Sequence, residues 1–200
     1  ITVLDEIFFN DCVASLYGRD AILKTIEIAA KNIFVPLTVC GGIKSLNDIE
    51  KSLKVGADKV AINSRATEKP SFIKNASKYF GTSTIVSSIE AKLISKNKWN
   101  VFKHNGREDT RIDLFYWLQK VQEMGCGEIF LTSIDSDGTM KGFDLNLIGQ
   151  IKKLIKIPII FSGGCGNYEH INQIKSFKNV DIALGSSLHY NKINISKLKK

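Results

Sequence analysis

The feature that most restricts what this chain can fold into is a single internal repeat at long distance. Glu6-Ile7-Phe8-Phe9 returns as Glu128-Ile129-Phe130-Leu131, 122 positions later. Pro36 and Gly41 return as Pro158 and Gly163, again 122 positions on, in the shared pattern Pro-x-x-x-x-Gly-Gly. Ala57-Asp58-Lys59-Val60-Ala61 resembles Val180-Asp181-Ile182-Ala183, where matching Asp58 to Asp181 gives an offset of 123. Solenoid units recur every ~20–50 residues, so a period this long is instead a duplicated half of a domain.

Short apolar runs alternate with longer stretches of helical period. The runs include Phe34 to Val39, Lys59 to Ile62, Thr84 to Ile89, Glu128 to Leu131, Ile157 to Phe161 and Val180 to Leu184. Runs that are apolar throughout suit strands buried on both faces, as in parallel sheets. Helical stretches lie between them, such as Ala21 to Lys31, Leu46 to Lys54, Ser71 to Tyr79, Asp113 to Met124, Asp144 to Lys153 and Tyr168 to Phe177. Strand–helix alternation with a two-fold repeat fits an α/β (βα)8 barrel, whose whole length is about 250 residues. The strand at Ser83 to Glu90 then needs a counterpart 122 positions earlier. The expectation is one barrel domain over residues 1–200, holding strands two to eight, with the first βα unit lying before Ile1. Lys92 to Gly106 (KLISKNKWNVFKHNG) breaks the rhythm and reads as an inserted hairpin, either a lid or a plain surface element.

Composition narrows the function classes. No apolar run approaches the roughly 20 residues that cross a bilayer, and the first residues are neither a basic signal peptide nor a start methionine. A soluble cytoplasmic protein, beginning inside a longer one, is expected. The formal charge of +8 comes mostly from scattered Lys, with one basic block at Lys197-Leu198-Lys199-Lys200. It reads as solvated surface, or as a field drawing anionic substrates or an acidic partner, rather than as a nucleic-acid interface. Cys12, Cys40, Cys126 and Cys165 form no C-x-x-C pair and no metal spacing with His104, His170 or His189. Reduced thiols, with no metal and no cofactor, are expected.

Each half carries a strand ending in Gly-Gly before a helix, at Gly41-Gly42 and Gly163-Gly164, and a strand ending in small polar residues, at Asn63-Ser64 and Gly185-Ser186-Ser187. Glycine lets the backbone approach an anion, and the free N–H groups of the next helical turn supply donors. Tight strand–helix turns alone would also explain a single Gly-Gly. The duplication favours two phosphate sites, and so a substrate with a phosphate at each end. Polar residues at the expected C-terminal mouth are acid/base candidates: Asp11 and Ser15, Glu90 with Lys92, and Thr132, Ser133 and Asp137 in the stretch Thr132 to Thr139. For Glu90 the alternative is an ion pair with Lys92 that anchors the hairpin. Asp135-x-Asp137-Gly138 shares only a fragment of the calcium-loop pattern and is set aside.

At these residues the chain resembles the cyclase subunit of imidazole glycerol phosphate synthase, the HisF family. The segments that carry the resemblance are Asp11 to Ser15, Gly41 to Ile43, Gly56 to Asn63, Gly127 to Thr139 (GEIFLTSIDSDGT) and Pro158 to Gly164. The resemblance implies a two-fold repeated barrel and a bis-phosphorylated ribosyl-aminoimidazole carboxamide substrate. It also implies ammonia delivered by a glutaminase subunit docked at the N-terminal face, in a heterodimer. By the same resemblance Gly42, Asn63 and Ser64 hold one phosphate, and Gly138, Gly164, Ser186 and Ser187 the other; Gly41, Gly163 and Asp137 are counted beside them as phosphate-binding candidates. Glu6, Lys59 and Glu128 match charged residues gating the ammonia entrance, with a structural ion-pair layer as the alternative. Glu90 matches a catalytic Asp and is one methylene longer, and the family's other catalytic Asp falls on the first strand, before Ile1. Three readings follow: the cyclase itself, a paralogue delivering ammonia to amidate a surface-polysaccharide sugar, and a catalytically silent scaffold subunit.

Overall fold

A computed structural model describes residues 4–11 and 19–198, and the side chains of all of these but 19–21. The chain divides into two compact units, Ile1–Ser87 with Met124–Gly127, and Ser88–Glu123 with Glu128–Lys200.

In the first unit, β1 (Ile7–Asn10), β2 (Leu37–Cys40), β3 (Lys59–Ile62) and the start of β4 (Ile85–Ser95) lie side by side, all parallel. Between them run α1 (Arg19–Ala30), α2 (Leu46–Lys54), α3 (Ser64–Glu68) and α4 (Ser71–Phe80). Strand side chains alternate between faces. Leu37 and Val39, joined by Ile7 and Phe9, pack against Ile22 and Ile26 of α1, and Ile26 and Val39 are fully enclosed. Full burial of such side chains contributes roughly 1.5–3 kcal/mol each. The alternate positions place Glu6, Thr38 and Lys59 on the other face of the sheet.

In the second unit the remainder of β4 is followed by β7 (Glu128–Ser133), β8 (Ile159–Ser162) and β9 (Val180–Ala183), with β7, β8 and β9 parallel in register. Helices α5 (Leu114–Glu123), α6 (Leu145–Ile151), α7 (Tyr168–Ile174) and α8 (Ser186–His189) alternate with these strands. Parallel strands alternating with helices are the α/β (βα)8-barrel class.

The inserted hairpin is larger than the sequence reading. β4 pairs antiparallel with β5 (Lys98–Lys103), which pairs in turn with a further strand, β6 (Glu108–Asp113). Sequence periodicity misses β6 because EDTRID has no apolar face. It is held instead by Asn100, whose amide donates to both Asp109 carboxylate oxygens at 3.1 Å, and by the Thr110 hydroxyl donating to Val101 O at 2.6 Å. A register shift between Val101 and Phe102 coincides with Arg111 in the left-handed region, a β-bulge. Trp99 is fully buried and meets Phe115 of α5 edge-on at 6.0 Å.

The two units repeat one another in hydrogen-bond register. Ile7 pairs with Leu37 and Ile129 with Ile159; Thr38 pairs with Lys59 and Ile160 with Asp181. Each position is 122 from its equivalent. The strand register therefore matches Asp181 with Lys59, correcting the offset of 123 that the Asp58 match suggested. Even a linking bond repeats: Ile7 N–H donates to Pro36 O at 2.9 Å and Ile129 N–H to Pro158 O at 3.0 Å.

Candidate functional site

At the C-terminal strand ends of the first unit, Asp11 N–H donates to Cys40 O at 2.9 Å, fixing the β1 exit beside the β2 exit. Gly41 follows with φ +114°, and a Cβ there would stand 2.5 Å from Asp11 O. Only glycine fits so close an approach. Gly42 continues in the left-handed region at φ +63°. Beside them, Asn63 (φ −112°, ψ −97°) turns β3 into α3, whose first residue is Ser64. Gly41, Gly42, Asn63 and Ser64 thus lie at the C-terminal end of two adjacent strands. Ser15 lies outside the described residues.

The second unit reproduces this geometry. Gly163 has φ +101°, and a Cβ there would stand 2.8 Å from Ser133 O, the position 122 beyond Asp11. Gly185 turns β9 into α8 with φ −116° and ψ −90°, nearly the Asn63 values. Gly164 (φ +102°) lies so close to the loop after β7 that a Cβ would overlap Gly142 O, and Gly142 N–H donates to Gly164 O at 2.8 Å. That loop is a tight turn in which Asp137 N–H donates to Ser133 O at 2.9 Å and Gly138 sits at φ +71°. Asp137, Gly138, Gly163 and Gly164 therefore belong to two loops pressed together, with Thr132 and Ser133 at the strand end beneath. Ser187 is 1% exposed. Among the described residues its hydroxyl has no nitrogen or oxygen partner and meets the Cys165 thiol. A buried hydroxyl so weakly partnered costs stability unless a ligand accepts from it or donates to it.

Glu90 is half-buried on β4, and its Oε2 accepts from Gly106 N–H at 3.0 Å, in the turn between β5 and β6. The ammonium of Lys92 lies 5.7 Å over the Phe102 ring. The same turn touches the loop after β7, since a Cβ on Gly106 would meet Ile134 Cδ1 at 3.2 Å. Asp135 fastens that loop to the ribbon by accepting from Leu93 N–H at 2.8 Å, and Ile134 N–H donates to Ala91 O at 2.9 Å. Asp135, which the sequence places in the polar stretch Thr132 to Thr139 after this strand, thus ties the loop to the ribbon.

At the opposite end of the first unit's strands, Lys59 Nζ and Glu6 Oε2 are 2.7 Å apart, with side chains 23% and 19% exposed. Thr38, fully buried, donates from its hydroxyl to Glu6 Oε1. The sequence reading missed Thr38, whose position facing both partners emerges only from the strand register. Glu6 and Asp11 are five residues apart, roughly 16 Å at ~3.3 Å per strand residue. This pair therefore cannot touch a group held at Gly41. Glu128 opens β7 in the second unit, 122 positions from Glu6.

Of the cysteines, Cys40, Cys126 and Cys165 are buried, and Cys12 lies outside the described residues. Burial pushes the Cys126 thiol up to about 12 and Cys165 to about 11, so both stay protonated at neutral pH. Among the described residues, no helix is long and apolar enough to cross a membrane.

Comparison with known proteins places the chain in a family. The family model "Histidine biosynthesis protein" matches residues 2–194. The HisF subunit of imidazole glycerol phosphate synthase from Bacillus cereus strain Q1 is 44% identical over 197 residues, covering 98% of this chain and 78% of the relative. The same subunit from strain G9842 is 43% identical over the same span and shares. The chain belongs to the histidine-biosynthesis protein family, in the HisF branch of imidazole glycerol phosphate synthase subunits.

Proposed function

We propose that this chain carries out the cyclase reaction of imidazole glycerol phosphate synthase, with a glutaminase subunit as its partner in the cytoplasm. The substrate is a bis-phosphorylated ribosyl-aminoimidazole carboxamide, and each unit's glycine loop takes one of its phosphates. Ammonia released by the partner enters at the N-terminal strand ends, past Glu6, Lys59 and Glu128. It attacks the iminophosphoribosyl carbon at the mouth. Proton transfers by mouth carboxylates, Glu90 among them, then accompany cleavage to the aminoimidazole carboxamide ribotide (AICAR) and closure of the imidazole ring of imidazole glycerol phosphate.

The observation that carries this reading is the duplicated loop geometry. Gly41 and Gly163 approach the preceding strand's exit in the same way, and Asn63 and Gly185 turn into a short helix at the same angles. Backbone N–H groups at such turns suit anions. The test is turnover of the iminophosphoribosyl substrate by the full-length protein with ammonium as nitrogen source. Absence of turnover that Glu90→Asp does not rescue would sink the cyclase assignment.

A second reading, an ammonia-delivering paralogue that amidates a surface-polysaccharide sugar, is favoured by one observation. The Glu90 carboxylate, longer than the family's Asp, is engaged by Gly106. Stimulation of a glutaminase without turnover of the imidazole precursor would select it.

A further inference from the structure

The two units close the turn after their Gly-Gly loops with the same device built from different chemistry. In the first, Ser45 caps α2: its hydroxyl accepts from Asp48 N–H at 3.2 Å, while Asp48 Oδ2 accepts from Ser45 N–H at 2.8 Å and Lys44 N–H at 3.0 Å. This is a capping box, extended one residue back into the loop. In the second unit, 122 positions on, Asn167 caps α7: its Oδ1 accepts from His170 N–H at 3.0 Å. His170 Nδ1 accepts from Gly166 N–H at 3.1 Å, the equivalent of the Lys44 bond. An imidazole therefore stands where the first unit has a carboxylate. Accepting at Nδ1 requires the neutral ring with its proton on Nε2.

His170 reaches both loops of the second unit's site. Its hydrogen bond holds Gly166, the last residue of Gly163-Gly164-Cys165-Gly166. The edge of its ring faces Gly142, where a Cβ would stand 3.6 Å from both Cδ2 and Nε2. Gly142 in turn donates to Gly164 O. One side chain thus braces the two loops in the close packing that places Gly138 and Gly164 together.

We infer that His170 is a positioning residue for the phosphate-ester end of the substrate, holding Gly163–Gly166 against the 138–142 loop without touching the ligand. The inference rests on reading Gly164, Ser186 and Ser187 as a phosphate site. The ring acts through its Nδ1 acceptor, so Asn, whose Oδ1 occupies nearly the same place, substitutes for it. Ala supplies no acceptor.

The test is isothermal titration of the full-length protein with the bis-phosphorylated substrate in the absence of ammonium, where no turnover occurs. His170→Ala is expected to raise Kd about five- to tenfold, the effect of one lost neutral hydrogen bond with some loss of order. His170→Asn should stay within about twofold of the parent protein. Ser186→Asp, which sets a negative charge in the site, is expected to raise Kd by more than about tenfold. Unchanged binding in His170→Ala together with weakened binding in Ser186→Asp overturns the role of His170 and leaves the phosphate reading standing. Unchanged binding in both removes the phosphate reading, and the inference with it. Equal weakening in the Ala and Asn variants overturns the acceptor role, because the ring's bulk would then be the cause. Should the Ala variant fail to fold, His170→Leu fills the ring's place without an acceptor and is judged by the same outcomes.

Discussion

Shortening Glu90 by one methylene, in Glu90→Asp, tests whether this carboxylate holds the ribbon. The change withdraws the carboxylate by about 1.5 Å, one C–C bond. The 3.0 Å contact to Gly106 N–H then opens beyond hydrogen-bond range. A hydrogen bond to a charged acceptor contributes about 1.5–3 kcal/mol, and the half-buried position lets water replace part of it, leaving about 1 kcal/mol. For a chain of this size that is roughly 2–4 °C in Tm. The local effect is sharper. The turn keeps Arg107 N–H donating to Lys103 O at 3.2 Å and the Lys103–Glu108 ion pair at 3.0 Å, but Gly106 loses its acceptor. Hydrogen exchange at the Gly106 amide should quicken about fivefold or more, while amides of β7 and β8 stay protected. Exchange read by NMR and a thermal melt measure both effects. Unchanged protection at Gly106 with an unchanged Tm would refute the latch.

Lys59→Met breaks the 2.7 Å contact with Glu6 and leaves Thr38 as that carboxylate's remaining described partner. The cost is about 1–3 kcal/mol, between exposed and buried pairs. Glutamine-dependent turnover should fall more than ammonium-dependent turnover, and equal loss in both assays would remove the gate. Cys126 and Cys165, raised to about 12 and about 11, hold their protons well above neutral pH. At pH 8 mass spectrometry should find their peptides unmodified by iodoacetamide in the native protein and modified in urea; native labelling at the urea rate would contradict the burial. Gly41→Ala and Gly163→Ala should destabilise to a similar degree, by about 1–3 kcal/mol in urea titrations, because each forces a Cβ within 3 Å of a carbonyl oxygen at φ above +100°. A large cost at one position and none at the other would break the structural equivalence of the loops.

What the sequence made legible is what the backbone dictates. Gly41 and Gly163 are readable because no side chain fits their approach to Asp11 O and Ser133 O. β2, β3 and β7 are readable because burial at nearly every position demands unbroken apolar runs. Position 63 shows the converse. Asn63 and Gly185 share one backbone conformation at negative φ, where glycine is not required, so the residues diverge and a composition-based match sees little. The third register match slipped by one for the same reason: Lys59 and Asp181 occupy equivalent places with opposite charge, and the eye pairs Asp58 with Asp181 instead. β6 was hidden because side-chain hydrogen bonds from Asn100 and Thr110 hold it in place of apolar alternation.

The same distinction separates the Gly-Gly loops from the carboxylate at the mouth. The two Gly-Gly loops are set by backbone geometry written into glycines, and the strands that carry them repeat in register at 122 residues. The chemistry at the mouth depends on side-chain length and on partners remote in sequence. Glu90 resembles the family's Asp in charge, yet its meaning comes from Gly106, sixteen residues away across a ribbon whose last strand carries no apolar signal. His170 resembles an ordinary surface histidine until the repeat aligns it with Asp48. A duplicated fold thus supplies its own control: where the two halves share a backbone and differ in a side chain, as at Asp48 and His170, the comparison isolates what that side chain contributes.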